Sequence, residues 1–200
     1  LEPKVLLFDE PLSNLDAKLR RQVREDIREI QQKLGVTTIY VTHDQEEALA
    51  ISDKVIVMNN AVIAQEGNPK DLYNYPKNKF VANFIGDANV VKAEIINKQS
   101  NKYELKLAEM KIKIESNKDL KTSVSVALRP EKIRIETIDN NNSIHATINN
   151  ASFVGNSYQY ILNSNVGKLY VVSGDTNNVF KVGEEVFLNL DEKDVKVLND

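Results

Sequence analysis

One stretch near the start of the chain most constrains its fold, because four apolar residues run directly into two acidic ones. Residues 5–11 read Val-Leu-Leu-Phe-Asp-Glu-Pro. An uninterrupted apolar run of this length is typical of a strand buried on both faces of a parallel sheet. In open α/β sheets, ligands bind beyond the carboxyl ends of such strands. We therefore predict a buried strand at residues 4–9, with Asp9 and Glu10 at a ligand-binding edge.

The two adjacent carboxylates suit a division of chemical tasks. One can hold Mg²⁺, usually through water, and the other can orient or deprotonate an attacking water. The same Asp-Glu-Pro residues can instead form a polar turn that leads into a helix cap. The residue types alone leave both interpretations open.

An amphipathic helix is predicted next. Apolar residues recur every three or four positions over residues 15–34, which indicates one apolar helix face. Gly35 follows where a helix commonly ends. The opposite face carries arginines and glutamates, and we interpret it as a solvated surface that includes an Arg21–Glu25 pair.

A histidine stands at the end of a second predicted strand. The β-branched and aromatic run at residues 37–42 predicts a buried strand, and His43 follows it directly. Asp44 is predicted to cap the next helix. A histidine in this place can be a structural turn residue, or it can donate to a phosphate oxygen and accept from a water.

The remaining chain changes its periodicity. Residues 53–65 indicate a β-hairpin, and Pro69 begins a short helix as its first residue. From about residue 88 onward, apolar residues alternate with polar ones in many short segments, which predicts a small β-barrel or sandwich. His145 and Met110 lie in alternating segments, and we interpret them as a structural and a core residue.

Composition narrows the possible functions. The chain has 200 residues, which suits one large or two small domains, and its net charge of −3 argues against nucleic acid as a partner. Cysteine is absent, so disulfides and thiolate metal sites are excluded. Neither a signal-peptide pattern nor a membrane-spanning apolar run is recognised, so we expect any membrane role to act through a partner.

Several motifs together resemble one protein family. The string F-D-E-P-L-S-N-L-D at residues 8–16 resembles the Walker B motif and D-loop of ABC ATPases, and V-T-H-D-Q-E-E-A-L at 41–49 resembles their H-loop. The string F-I-G at 84–86, followed by Asn89, resembles the importer branch. Arg-Pro-Glu at 129–131 alone indicates only a strand-end salt bridge or turn, but in this position it resembles the TOBE domain of importer ATPases.

The resemblance implies a fold class and two domains. Residues 1–87 would be the carboxyl-terminal part of an α/β nucleotide-binding domain of the P-loop NTPase class, and 88–200 an all-β, OB-like TOBE domain. The chain contains no G-x-x-x-x-G-K-[ST] motif, Q-loop or LSGGQ-type signature. We therefore expect part of a longer subunit. Because a parallel sheet is normally covered on both faces, a domain without its phosphate-loop strand and helix should have an uncovered edge and apolar face. We therefore expect residues 1–86 to be covered by another chain or to be less ordered than residues 88–200.

The resemblance also implies residue roles. Asp9 would bind Mg²⁺, Glu10 would be the catalytic base, and His43 would sense the γ-phosphate and position the attacking water. Four further residues would form the D-loop, which faces the opposite subunit, and are assigned to the cofactor site: Ser13, Asn14, Leu15 and Asp16.

The implied function is an ATP-hydrolysing subunit of a bacterial ABC importer that couples hydrolysis to solute uptake. Its cofactors would be ATP and Mg²⁺. Its partners would be a second copy, the transmembrane subunits and, indirectly, an extracytoplasmic substrate-binding protein, at the cytoplasmic face of the membrane. The present chain alone is expected to be inactive. Two alternatives remain, a small-anion-binding TOBE regulatory module and a soluble ABC ATPase outside transport. The resemblance fits importers of ferric iron, phosphonates, polyamines and sugars. The string F-D-E-P-L-S-N-L-D-A-K-L-R at residues 8–20 slightly favours the iron or phosphonate members, but no residue of the chain identifies the cargo.

Overall fold

The computed structural model describes residues 3–199 and divides into two compact units. The first unit ends at Tyr75 and the second begins at Pro76. The structure is mostly β. The predicted domain boundary between residues 87 and 88 stays a prediction, and the two units are described separately below.

The first unit begins with alternating strands and helices and ends with a hairpin and a short helix. In chain order its elements are β1 (Val5–Asp9), α1 (Ala17–Leu34), β2 (Thr37–Val41), α2 (Gln45–Ile51), β3 (Val55–Asn59), β4 (Val62–Gly67) and α3 (Pro69–Asn74). Strands β1 and β2 pair in parallel, with Asp9 opposite Val41. Strands β3 and β4 form the antiparallel hairpin that the sequence predicts.

The helix ends follow from local chemistry. The Asp16 carboxylate accepts from the backbone N–H groups of Lys18 and Leu19 at 3.0 Å each, which satisfies donors that have no partner within α1. Gly35 takes the left-handed conformation with φ 61°, and its N–H bonds back into the helix. Asp44 caps α2 in the same way as Asp16 caps α1. The predictions for Gly35 and Asp44 are confirmed.

The predicted burial of the first two strands is wrong. Both strands form, but alternate residues of each are exposed, and Leu7 is 69% exposed. The exposed apolar residues share one face of the two-stranded sheet: Val5, Leu7, Ile39 and Val41. Since no other described element of the first unit covers that face, the apolar run is not buried on both sides within this unit. An exposed apolar face of this kind was one of the outcomes expected for an incomplete nucleotide-binding domain.

The basic face of α1 is only partly the solvated surface that was predicted. The Arg21–Glu25 pair is present and exposed at 3.2 Å. Three arginines at four-residue spacing instead reach the segment around α2. The ion pairs are Arg20 with Asp44, Arg24 with Glu46, and Arg28 with Asp53. The spacing of one helical turn therefore serves contacts between elements rather than solvation.

The second unit begins with a helix and continues as strands. Its elements are α4 (Lys79–Phe84), β5 (Asn89–Gln99), β6 (Lys102–Leu107), β7 (Met110–Glu115), β8 (Ser123–Leu128), β9 (Arg134–Glu136), β10 (Ile144–Phe153), β11 (Tyr158–Ser164), β12 (Gly167–Ser173), β13 (Glu185–Asn189) and β14 (Lys196–Val197). Short 3₁₀ helices lie at Pro130–Lys132 and Glu192–Asp194. The period-two prediction for this region is confirmed.

Two five-stranded antiparallel sheets form this unit. Their strand orders are β12-β11-β10-β13-β9 and β14-β8-β5-β6-β7. A single core joins residues of both sheets, and Met110 lies within it as predicted, as do Leu105, Leu162 and Tyr160. His145 is on the solvent side of β10, where its ring stands 5.3 Å from that of Phe187.

Asparagine side chains bond the backbone of two edge strands. The Asn89 amide donates to the carbonyl of Tyr170 and accepts from its N–H, both at 2.7 Å, and so joins β5 to the edge strand β12. The Asn142 amide accepts from the N–H of Lys111 at 2.7 Å and donates to its carbonyl at 3.1 Å, on the edge strand β7. Each amide takes the place of one residue of a neighbouring strand.

Arg129 has a structural role within the second unit. Its side chain is buried and donates to the carbonyls of Ala82 and Ile85 at the carboxyl end of α4. A positive charge there satisfies carbonyls that lack helical partners and complements the helix dipole. The turn predicted at Arg-Pro-Glu forms as the 3₁₀ helix that follows.

Candidate functional site

The two parallel strands place the predicted catalytic groups at one edge of their sheet. Asp9 ends β1 opposite Val41 of β2, and Glu10 follows with its N–H donating to the Val41 carbonyl at 2.9 Å. Glu10 has a φ of 45°, in the left-handed region that non-glycine residues rarely adopt. Such strain concentrates at functional sites. The turn directs the chain away from the strand immediately after the acidic pair.

Glu10 and His43 are in direct contact although 33 positions separate them. Glu10 Oε1 lies 3.1 Å from His43 Nδ1. Both side chains are open to solvent, with 46% of Glu10 and 73% of His43 exposed. The hydrogen bond to Glu10 and its negative charge raise the pKa of His43 above its usual value. The pair therefore presents a carboxylate and a readily protonated imidazole side by side to an incoming ligand.

The loop after Glu10 is built from local turns. Both the N–H and the hydroxyl of Ser13 donate to the Glu10 carbonyl, at 3.3 and 3.0 Å. Leu12 is fully buried and anchors the loop, while Leu15 N–H donates to its carbonyl at 3.2 Å. Asn14 is exposed. The loop presents backbone and Asn14 to solvent.

The predicted D-loop residues thus have different structural tasks. The Asp16 carboxylate is occupied as the cap of α1, and the Ser13 hydroxyl is occupied by the Glu10 carbonyl. Their assignment to a cofactor site stays a prediction. Ser13, Asn14 and Asp16 are all exposed, and Leu15 is half-buried.

Glu47 is a buried carboxylate whose role sequence reasoning missed. It follows Asp44 in the first turn of α2, where an acidic residue is ordinary, yet it is 3% exposed. Its Oε2 accepts from the Tyr40 hydroxyl at 3.1 Å and from the Thr42 hydroxyl at 2.8 Å. Burial and the charge of Glu47 raise the pKa of Tyr40. The available signal was the pair of hydroxyl residues two positions apart, Tyr40 on β2 and Thr42 directly after it, since extended chain directs such residues to the same side.

Asp9 is the predicted metal ligand, and its donor chemistry fits Mg²⁺. It offers an exposed carboxylate at the sheet edge. Among residues 3–199, no group of three or more histidine, cysteine, aspartate or glutamate side chains is arranged to hold a metal ion. Mg²⁺ commonly takes one or two carboxylates and completes its shell with water and phosphate oxygens. One protein carboxylate therefore suffices if the remaining oxygens come from a bound nucleotide.

No helix in the part of the chain that the structure describes is long and apolar enough to cross a membrane.

Comparison with known proteins identifies similar sequences over the whole chain. A family model described as the TOBE domain matches residues 126–198, in the second unit. The "Fe(3+) ions import ATP-binding protein FbpC" of Agrobacterium fabrum is 39% identical over 199 residues, which cover 100% of this chain and 56% of that protein. The protein of the same name from Fusobacterium nucleatum is 40% identical over 205 residues, covering 100% of this chain and 54% of that protein.

The chain spans about half the length of the curated relatives it matches. A third relative of the same name, from Brucella melitensis, is 38% identical over 199 residues, with the same coverage as the Agrobacterium protein. Among solved structures, the cytoplasmic molybdate-binding protein ModG aligns with a TM-score of 0.43 and 11% identity, covering 54% of this chain and 92% of that one. A TM-score this low supports no statement about fold or ligand.

Proposed function

We propose that this chain belongs to the ATP-binding proteins of ABC importers that carry a TOBE domain, and that its first unit supplies the hydrolytic edge of such a subunit. The observation that carries the proposal is the 3.1 Å contact between Glu10 and His43 at the carboxyl ends of two parallel strands. A carboxylate and an imidazole at that edge suit the positioning and deprotonation of a water that attacks a phosphate.

Each residue at the edge receives a role from its chemistry. Glu10 accepts the proton of the attacking water, since its carboxylate is exposed and stands at the strand end. His43 donates from its ring to a γ-phosphate oxygen and, through its contact with Glu10, fixes the direction of the carboxylate. Asp9 would hold Mg²⁺, which when bound neutralises charge on the phosphates. Asn14 and its neighbours from Ser13 to Asp16 would face the nucleotide site of a second copy.

We also propose that residues outside this chain complete the nucleotide site. We infer that residues 1–87 belong to a P-loop NTPase domain and that 88–200 form an OB-like TOBE domain. The exposed apolar face formed by Val5, Leu7, Ile39 and Val41 supports this, because a complete parallel sheet would be covered there. A phosphate-binding loop and its strand, supplied by a preceding segment, would cover the face and cradle ATP.

The biological role follows from the relatives. Since the relatives are named for Fe(3+) import, we infer that the complete protein energises uptake of Fe(3+) through transmembrane subunits, at the cytoplasmic face of the membrane. An extracytoplasmic binding protein would deliver the cargo to those subunits. Uptake of radioactive Fe(3+) that falls when the gene is deleted, and returns with the intact gene but not with Glu10→Gln, is the expected result. Unchanged uptake after deletion would contradict the choice of cargo.

The experiment that tests the proposed chemistry uses the subunit extended upstream to include its phosphate-binding loop. Mg-ATP binding and phosphate release are measured for wild type, Glu10→Gln and the control Glu46→Gln, which alters an exposed acid on α2. We expect Glu10→Gln to bind ATP but to lose about 10²-fold or more in hydrolysis, the usual worth of a general base. Equal hydrolysis in Glu10→Gln and wild type would overturn the assignment. The 200-residue chain alone is expected to release no phosphate above background.

A further inference from the structure

The loop of residues 10–16 and the histidine turn of residues 42–44 must keep a fixed relation if Glu10 and His43 act together. Their direct contact joins two largely exposed side chains, and water competes with such contacts. The Glu10 N–H bond to Val41 fixes the first residue of the loop, and the buried Leu12 anchors its middle. The far end of the loop is joined to the histidine turn by a different side chain.

Arg20, on the first turns of α1, reaches both segments. Its Nη2 donates to the carbonyl of Leu15, at the far end of the loop, at 3.1 Å. Its Nη1 lies 3.5 Å from Oδ2 of Asp44, the residue after His43. Its Nε lies 3.9 Å from Oε1 of Glu47. One guanidinium thus spans the loop end and the residues that follow His43.

Glu47 is the buried residue that supports this bridge. Its buried carboxylate accepts from the Thr42 hydroxyl at 2.8 Å, and the same hydroxyl accepts from the Asp44 N–H at 3.0 Å. Glu47 therefore holds the residue before His43, while Arg20 holds the residue after it. A buried carboxylate needs a compensating charge, and Arg20 is the cation beside it.

The contact between Arg20 and Glu47 is an ion pair and not a hydrogen bond. Arg20 Nε is buried, and Glu47 Oε1 lies slightly beyond hydrogen-bonding distance from it. The positive charge of the guanidinium nevertheless compensates the buried carboxylate.

We propose that Arg20 is a positioning residue that, together with the buried carboxylate of Glu47, holds the loop of residues 10–16 against the histidine turn. The consequence for catalysis rests on the proposed ATPase function, whereas the structural coupling does not. Three contacts in different directions require the planar fork of arginine, and an ammonium group cannot make them all at once. Arg20→Lys therefore keeps the charge and removes the coupling.

The coupling is tested in the 200-residue chain by NMR at one pH, without nucleotide. The chain has two histidines, so the imidazole C–H signals of His43 and His145 are easily distinguished. The matched control is Arg21→Lys, whose arginine pairs with Glu25 on the surface. We expect Arg20→Lys to shift or broaden the His43 signals and to leave those of His145 in place, whereas Arg21→Lys moves neither. His43 signals unchanged in Arg20→Lys, or moved equally by Arg21→Lys, would overturn the proposal.

A second variant and a kinetic measurement test the same proposal. If Arg20→Lys lacks the dispersed spectrum of a folded chain, Glu47→Gln decides by the same criterion, since it retains the shape of the side chain and loses the charge that faces Arg20. In the upstream-extended subunit, Arg20→Lys is expected to lower kcat about tenfold while KM for Mg-ATP changes less than about twofold, because misplaced groups lose rate rather than binding. A kcat loss no larger than that of Arg21→Lys would contradict the proposal. An inactive wild type would refute the proposed function and leave the NMR result to decide the coupling.

Discussion

The two units of this chain bury their apolar residues to very different extents. In the second unit the inner faces of two five-stranded sheets close over one core, and Leu162 and Tyr160 are fully buried. In the first unit, alternate residues of β1 and β2 are open to solvent although the sequence there is more continuously apolar. The comparison teaches that an apolar run records what the complete fold must bury, whereas actual burial depends on how many layers are present.

The largest difference is expected between two leucine truncations. Leu162→Ala in β11 should lower the free energy of unfolding of the second unit by about 2–5 kcal/mol, because it leaves a cavity in a closed core. Leu7→Ala in β1 removes an exposed side chain and should change stability by less than about 0.5 kcal/mol. Urea unfolding followed by amide signals of each unit measures both. A large cost for Leu7→Ala would mean that its face is covered in solution.

A smaller effect is expected where one side chain joins the two sheets. Asn89→Ala removes both hydrogen bonds to the half-buried edge residue Tyr170, which should cost about 1–3 kcal/mol at about 0.5–1.5 kcal/mol for each bond. The exposed Asn156 provides the control, and Asn156→Ala should be close to neutral. Hydrogen exchange at the Tyr170 amide should accelerate only in Asn89→Ala. Equal exchange rates of the Tyr170 amide in both variants would show that the Asn89 side chain does not hold β12 in place.

The smallest effect concerns the exposed pair in the first unit. The pKa of His43 is raised by Glu10, so protonated His43 adds to stability below its ordinary pKa of about 6.5, and this contribution is lost as pH rises through the raised pKa. Glu10→Gln should therefore lower the pKa of His43 in an NMR titration, with His145 as the internal reference. An unchanged His43 pKa would mean that the two side chains are apart in solution.

Much of the first unit could be predicted from local chemistry. The end of α1 at Gly35, the cap at Asp44 and the first helical residue Pro69 each rest on one residue and its immediate neighbours. Glu10 and His43 were each predicted at the carboxyl end of a strand, and their placement at one edge follows once the two strands pair in parallel. These inferences need no knowledge of distant packing.

The remainder depends on contacts that periodicity does not encode. Arg20 and Arg28 lie on the charged face of α1, which was interpreted as a solvated surface because helix faces rich in charge usually are, yet both bind the segment around α2. Glu47 had the pattern of an ordinary first-turn acid, and only the tertiary fold buries it against Tyr40 and Thr42. In the second unit, the alternation predicted the strands but not their order, since one alternating segment can pair with many others.

The paired bonds between Asn142 and Lys111 have a consequence for the behaviour of the protein at high concentration. An edge strand normally offers a template on which further strands can assemble. On β7, an approaching strand would meet an N–H and a carbonyl of Lys111 that the Asn142 amide already occupies, and a second N–H, at Lys113, that Glu192 occupies. Growth of intermolecular sheets from this edge would first require those side chains to be displaced. We therefore expect the loop that carries Asn142 to hinder fibril formation.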